Sequence, residues 1–256
     1  MEGIKQNIPN AITIANLFCG LLSIVYVMNG NYFHAGLMIM IGSLCDFLDG
    51  SIARLLNSKS EIGKHLDSLA DLTTFGIAPG ILLFRSISEN LSEINDYLLS
   101  ENNIPFYYNN NFYLNLGDNM SDINLISFIG FLIPLAASIR LSRFNIIDSD
   151  KDYFTGLPTP AAGIFLASIF MWNESILNNT NIILLSAIVM SILMLSSIKI
   201  FSIKMSTRDN MTSKLSIIRV IFLITCLILF LIMNFKAIPF IVLLYITLSI
   251  INNLIQ

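Results

Sequence analysis

The sequence predicts an all-α membrane protein, a polytopic bundle of about eight transmembrane helices with both termini in the cytoplasm. Three observations carry this. The chain is 55% hydrophobic and only 12% charged, about half the roughly 25% charge of an average soluble domain. Apolar runs of span length recur along it, and about 20 such residues carry a helix across the hydrocarbon core. No stretch alternates apolar and polar residues with the period of two that a transmembrane barrel requires, and helices and closed barrels are the only architectures that satisfy their backbone in lipid.

Taken in order, the spans are 9–29, 32–52, 67–85, 123–142, 158–174, 181–201, 215–234 and 236–254. The first has no small-residue cleavage site behind a short apolar core, so it reads as a retained helix and not a signal peptide. With the N-terminus inside, Lys5, Arg54, Lys59, Lys64, Arg140, Arg143, Lys151, Lys199, Lys204, Arg208, Lys214 and Arg219 fall on the cytoplasmic side. Only Arg85 and Lys236 fall outside, the asymmetry that orients membrane helices. Residues 86–122, acidic and rich in asparagine and aromatics, read as an external loop insertion in a single integral membrane domain covering 1–256. Pro158 and Pro160 shape the start of the fifth span. Cys19, Cys45 and Cys226 lie in apolar sequence without zinc or disulfide spacing and read as small buried side chains.

The stretch "DFLDGSIARLLNSKSEIGKHLDSLAD", residues 46–71, breaks the apolar rhythm. On the second helix Asp46, Asp49, Gly50 and Ala53 follow i, i+3, i+4, i+7 and line one face. On the third, Gly63, Asp67 and Asp71 stand at i, i+4, i+8, and the short loop between makes the two helices antiparallel neighbours. Four carboxylates brought together in a medium of low dielectric repel one another unless protons or cations neutralise them. A divalent metal does so economically, and oxygen-only donors suit Mg²⁺, Mn²⁺ or Ca²⁺. Mg²⁺ in such sites usually shares its shell with substrate phosphates. Gly50, Ala53 and Gly63 leave room for a ligand against the helix backbones, and Arg54 offers a permanent cation to phosphate oxygens.

The pattern D-x2-D-G-x2-A-R-x8-G-x3-D-x3-D, met here without a mismatch, resembles the signature of the CDP-alcohol phosphotransferase family. The resemblance implies a membrane enzyme that moves a substituted phosphoryl group from a CDP-linked donor to an alcohol and releases CMP. It implies that Asp46, Asp49, Asp67 and Asp71 bind two divalent ions, that Asp49, Gly50, Ala53, Arg54, Gly63 and Asp67 surround the CDP moiety, and that Asp71 is the catalytic base. "IPNAITIANLFCG", "DSLADLTTFGIAPG", "AASIRLSRFN" and "FTGLPTPAAG" are similar to the phosphatidylserine synthase branch of bacteria and archaea. Residues 8–85 and 123–165 carry this likeness; beyond 180 only hydropathy matches. The branch implies CDP-diacylglycerol as donor, L-serine as acceptor, a homodimer among membrane lipids, and a bacterial inner membrane with the site facing the cytoplasm. Nucleic acid is not among the partners expected.

Arg140 and Arg143, at i, i+3 on the cytoplasmic end of the fourth span, offer the planar forks that an amino-acid carboxylate needs; topology and the helix dipole are their alternative use. The same chemistry with glycerol phosphate, inositol or an ether-lipid donor is the nearest alternative. A cation transporter is the alternative of another class, since intramembrane carboxylates often mark ion pathways. Against it, the acids gather near one face of the membrane.

Overall fold

Two long helices joined by a tight turn open the fold in the computed structural model, which describes residues 2–58, 60–100, 113–114, 123–146, 153–172, 179–201 and 214–255. Helix α1 (Glu2–Met28) turns at Gly30, whose φ of +71° is the left-handed conformation that glycine adopts freely. Helix α2 (Tyr32–Leu55) starts at Asn31, which caps the backbone of His34. After Asn57, at φ +48°, Ser60 caps helix α3 (Glu61–Asp71) by accepting the Gly63 N–H at 3.0 Å.

Helix α3 does not stop at Asp71. It passes through a π-helical segment, Leu72–Ile77, into α4 (Ala78–Ser100). The third span is thus part of a longer helix, and the stretch 86–122 begins as helix up to Ser100. Its described remainder, β1 (Tyr113–Leu114), pairs antiparallel with β2 (Ile123–Asn124). A 3₁₀ segment, Leu125–Phe131, leads into α5 (Leu132–Ile146).

Strand β3 (Tyr153–Thr155) precedes α6 (Thr159–Phe170), which has Pro160 in its first turn, as the sequence anticipates. Helix α7 (Thr180–Leu195) leads to β4 (Lys199–Phe201), which returns to pair antiparallel with β3. Helix α8 (Lys214–Met233), a 3₁₀ turn with Asn234 at φ +51°, and α9 (Ile238–Ile255) complete the chain.

The protein is a polytopic helical membrane protein. Among the described residues five stretches are long and apolar enough to cross a bilayer: Asn7–Met28, Tyr32–Leu55, Glu61–Ser92, Leu125–Ile146 and Ser216–Asn253. The last contains both α8 and α9. Helices α6 and α7 are apolar but shorter, and α6 is buried along most of its length. Lys59, Lys151, Lys204 and Arg208, used above for orientation, lie outside the described residues, and Arg219 is buried in protein.

Helices in lipid associate through close packing of small residues and not through the hydrophobic effect. Here the approaches centre on the π segment. A Cβ on Gly20 or Gly42 would come within 2.6 Å of the Thr74 side chain, and one on Gly163 within 2.8 Å of Phe75. Helices α1, α2 and α6 therefore clasp the residues that follow Asp71. Helix α1 packs against both α2 and α3, which scarcely touch each other directly. The two carboxylate-bearing helices face each other across a cleft, with α1 as its third wall.

Candidate active site

The cleft collects three carboxylates. Asp46 and Asp49, one turn apart on α2, meet Asp67 of α3 with one oxygen from each within 4.8 Å of the others. Asp49 is buried at 4% exposure, and Asp46 and Asp67 are half-buried. Three carboxylates at this separation and depth repel one another unless protons or a cation neutralise them. The donor set is all oxygen and of the size that a hard divalent ion takes, so the group fits a metal site.

Asp49 is also fixed from behind. Thr13 Oγ stands 2.6 Å from Asp49 Oδ2 and 3.1 Å from the Pro9 carbonyl; the shorter, charge-assisted contact claims its single hydrogen. Sequence reasoning gave Thr13 no role. The only signal was its place in the "IPNAIT" stretch, whose residues face α2 and α3 only once α1 is docked.

Beside the carboxylates opens a cavity of about 520 Å³. Asp49, Gly50, Ala53, Arg54, Gly63 and Asp67 all line it, so the six residues expected around CDP are brought together. Pro9, Asn10 and Thr13 of α1, with Ser58, Ser60, Glu61 and Lys64, complete the lining. The two glycines differ. A Cβ on Gly50 would point into open space, with Arg54 Nη1 at 3.6 Å as its nearest neighbour, whereas one on Gly63 would press on Asn10 Oδ1 and Ser60 Oγ, each at 3.0 Å. Gly50 thus keeps the cavity open without serving helix packing. Arg54 is exposed and donates to Ser51 Oγ at 3.0 Å.

Asp71 stands apart from the group of three. It is 8% exposed, at the junction of α3 and the π segment, and its buried Oδ1 has no hydrogen-bond partner. Asp46, Asp67, Asp49 and Arg140 all act on it electrostatically. Arg140 is equally buried. Its Nη1 donates to Thr159 Oγ at 2.9 Å, and its buried Nε has no partner. Buried polar atoms orphaned in this way call for an explanation, and a bound ion or substrate is one. The π segment belongs to the same category, since such widened turns often sit at functional sites.

Arg140 and Arg143 line a second cavity, of about 330 Å³, with Phe144 on α5 and Thr155, Ser196 and Ser197 on the facing wall. The start of α3 is tied to the end of α5, where Lys64 Nζ donates to the Asn145 carbonyl at 3.0 Å and Asn145 Nδ2 to Ser68 Oγ at 2.9 Å. Carboxylates and arginines therefore share one end of the bundle.

The profile of the CDP-alcohol phosphatidyltransferase family matches residues 6–196. The chain is 36% identical over 175 residues to the CDP-diacylglycerol–serine O-phosphatidyltransferase of Bacillus subtilis, covering 66% of this chain and 79% of that protein. It is 30% identical over 167 residues to the archaetidylserine synthase of Methanothermobacter thermautotrophicus, covering 64% and 58%. The enzyme of Helicobacter pylori strain J99 with the same name as the B. subtilis one is 30% identical over 160 residues, covering 62% of this chain and 54% of that protein. The match thus spans little more than half the length of the last two. With a profile covering most of its helices and every aspartate of the cleft inside it, the chain belongs to the CDP-alcohol phosphatidyltransferase family.

Proposed function

We propose that the protein transfers the phosphatidyl group of CDP-diacylglycerol to the hydroxyl of L-serine, giving phosphatidylserine and CMP. The observation that carries this reading is the adjacency, through Arg140, of the buried carboxylate of Asp71 to a cavity holding two guanidinium groups. The names of the three relatives all specify serine, and a carboxylate-bearing acceptor is what paired arginines suit.

In this reading the larger cavity takes the CDP moiety. Gly50, Ala53 and Gly63 admit it, Arg54 meets its phosphates, and Asp46, Asp49 and Asp67, with Asp71 as a fourth ligand, hold two divalent ions, Mg²⁺ or Mn²⁺. When bound, such ions neutralise charge on the diphosphate and on departing CMP. Arg143, with Arg140, holds the serine carboxylate, and Asp71 accepts the hydroxyl proton as the serine oxygen attacks phosphorus. The same reading includes eight crossings with both termini in the cytoplasm, a bacterial inner membrane, a homodimer and a cytoplasmic active site.

The test is CMP release by the purified protein in detergent, from CDP-diacylglycerol with serine, glycerol 3-phosphate or inositol. Serine is expected to support release, EDTA to stop it, and Mg²⁺ or Mn²⁺ to restore it. Release with another alcohol alone would replace serine; no metal-dependent release with any alcohol would leave the transporter reading.

A further inference from the structure

The residues beyond 196 lie outside the family profile, yet one of their helices grips the wall of the arginine cavity. That wall is made by the end of α7 and by β3, contributing Met194, Leu195, Ser196, Ser197 and Thr155. The β3–β4 ribbon carrying it has only two strands, a unit too small to be stable without support. Inside the wall Gly156, at φ +74°, donates its N–H to the Ile198 carbonyl at 2.9 Å, and Leu157 donates to the Leu193 carbonyl at 3.0 Å. A Cβ on Gly156 would sit 2.5 Å from the Met194 carbonyl oxygen.

Helix α9 meets this ribbon with a polar face. Tyr245, Ser249, Asn252 and Asn253 fall within about a third of a turn of one another at 100° per residue. Three of them reach both strands. Tyr245 Oη donates to the Phe201 carbonyl at 2.8 Å, Asn253 Nδ2 to the Lys199 carbonyl at 2.7 Å, and Asn252 Nδ2 to Tyr153 Oη at 3.3 Å. Ser249, buried on the same face, bonds only within its own helix, to the Tyr245 carbonyl at 2.7 Å. Tyr245 also acts electrostatically on Arg140. Amides in an otherwise apolar membrane helix need partners, and these find theirs on the ribbon that supplies Thr155 to the cavity wall and flanks Met194–Ser197.

We infer that α9 is a latch for the acceptor site: Tyr245, Asn252 and Asn253 are positioning residues that hold the β3–β4 ribbon against Arg140 and Arg143, and so set the affinity for the carboxylate-bearing acceptor. The inference rests on the assignment of that cavity to serine. It separates the two substrates, because the CDP cavity is built from α1, α2 and α3, which the ribbon does not join.

The experiment compares Tyr245→Phe/Asn253→Leu with Ser249→Ala and Asn253→Gln in the full-length protein. Hydrogen exchange of peptides spanning 153–158, which holds the Gly156 and Leu157 amides, and 196–201, which holds the Ile198 acceptor, is measured together with the KM for each substrate. The double variant is expected to exchange on the order of tenfold faster there, and to raise the serine KM about tenfold with the CDP-diacylglycerol KM within about twofold. Ser249→Ala should change neither, and Asn253→Gln, which keeps the amide donor, should recover most of the loss. Unchanged exchange, or a rise in both KM values together, overturns the latch. Arg143→Lys serves as the control for the acceptor assignment, because it keeps the charge but loses the planar fork. If Arg143→Lys raises the serine KM and the double variant does not, the latch fails while the assignment stands. If neither variant moves it, the assignment fails, and the latch's part in acceptor binding falls with it.

Discussion

Gly50 and Thr13 show how little a single side chain must do to shape this site. A methyl on Gly50 meets nothing but the end of Arg54, so Gly50→Ala should strengthen α2 by the helix-propensity difference of about 0.5–1 kcal/mol. The same methyl intrudes on the cavity, where overpacking costs about 1–3 kcal/mol, roughly a 5- to 150-fold weakening of donor binding. We therefore expect a raised melting temperature with a raised CDP-diacylglycerol KM, measured on one preparation. A fall in both stability and affinity would return Gly50 to packing. Thr13 lines the larger cavity too, but its hydroxyl is committed to Asp49. Thr13→Val removes the donor at 2.6 Å, and losing a hydrogen bond that orients a metal ligand typically costs about 10–100-fold in affinity for the ion. The expected outcome is a Mg²⁺ requirement about tenfold higher, with Thr13→Ser near normal, read from metal titrations of activity. Gly50 was legible in the sequence because its spacing from Asp46 and Asp49 fixes its face of α2. Thr13 was not, because its partner lies 36 positions away on another helix.

At the scale of elements, the π segment after Asp71 decides where the proposed base points. A π turn carries one residue more than an α turn over the same stretch, so restoring a regular helix there would rotate Asp71 by about 100° relative to α4. Thr73, whose hydroxyl bonds only back to the Leu69 carbonyl, is the residue to remove. Deleting it should leave helical content and membrane insertion intact and reduce CMP release by more than about 100-fold, as misplacement of a reacting group by an ångström can. Circular dichroism and activity check the two halves separately; near-normal activity would mean that the widened turn is dispensable. The pattern Gly63, Asp67, Asp71 predicts one continuous stripe on α3, and regular helical geometry holds along it as far as Asp71. The departure immediately after comes from packing, with Thr74 and Phe75 pressed between Gly20, Gly42 and Gly163. No local propensity in "LTTFGI" announces it.

For the molecule as a whole, Arg54, Lys64, Arg140 and Arg143 line the two cavities among the described residues, and the proposed orientation rests on the distribution of basic residues along the sequence. Reporters that fluoresce only in the cytoplasm, fused separately to each terminus, should both be bright if eight spans cross the membrane. A dark C-terminal fusion would mean an odd number, and the stretch Ser216–Asn253 would be the place to look, since α8 and α9 are joined there by a single 3₁₀ turn. What the sequence by itself determined is whatever depends on composition and on spacing within one helix: a helical membrane protein, the aspartate faces of α2 and α3, and the glycines and arginine that line the larger cavity. Transfer to lipid and the 3.6-residue period are local physics, and both can be read from neighbouring positions. Only the tertiary structure decided that α1 closes the cleft with Thr13, that three carboxylates converge while Asp71 stands apart beside Arg140, and that α9 reaches back to the β3–β4 ribbon. Those pairings join residues tens of positions apart, and which side chains meet is set by the close fit of small residues across helices, a property of the packed bundle and of no single segment.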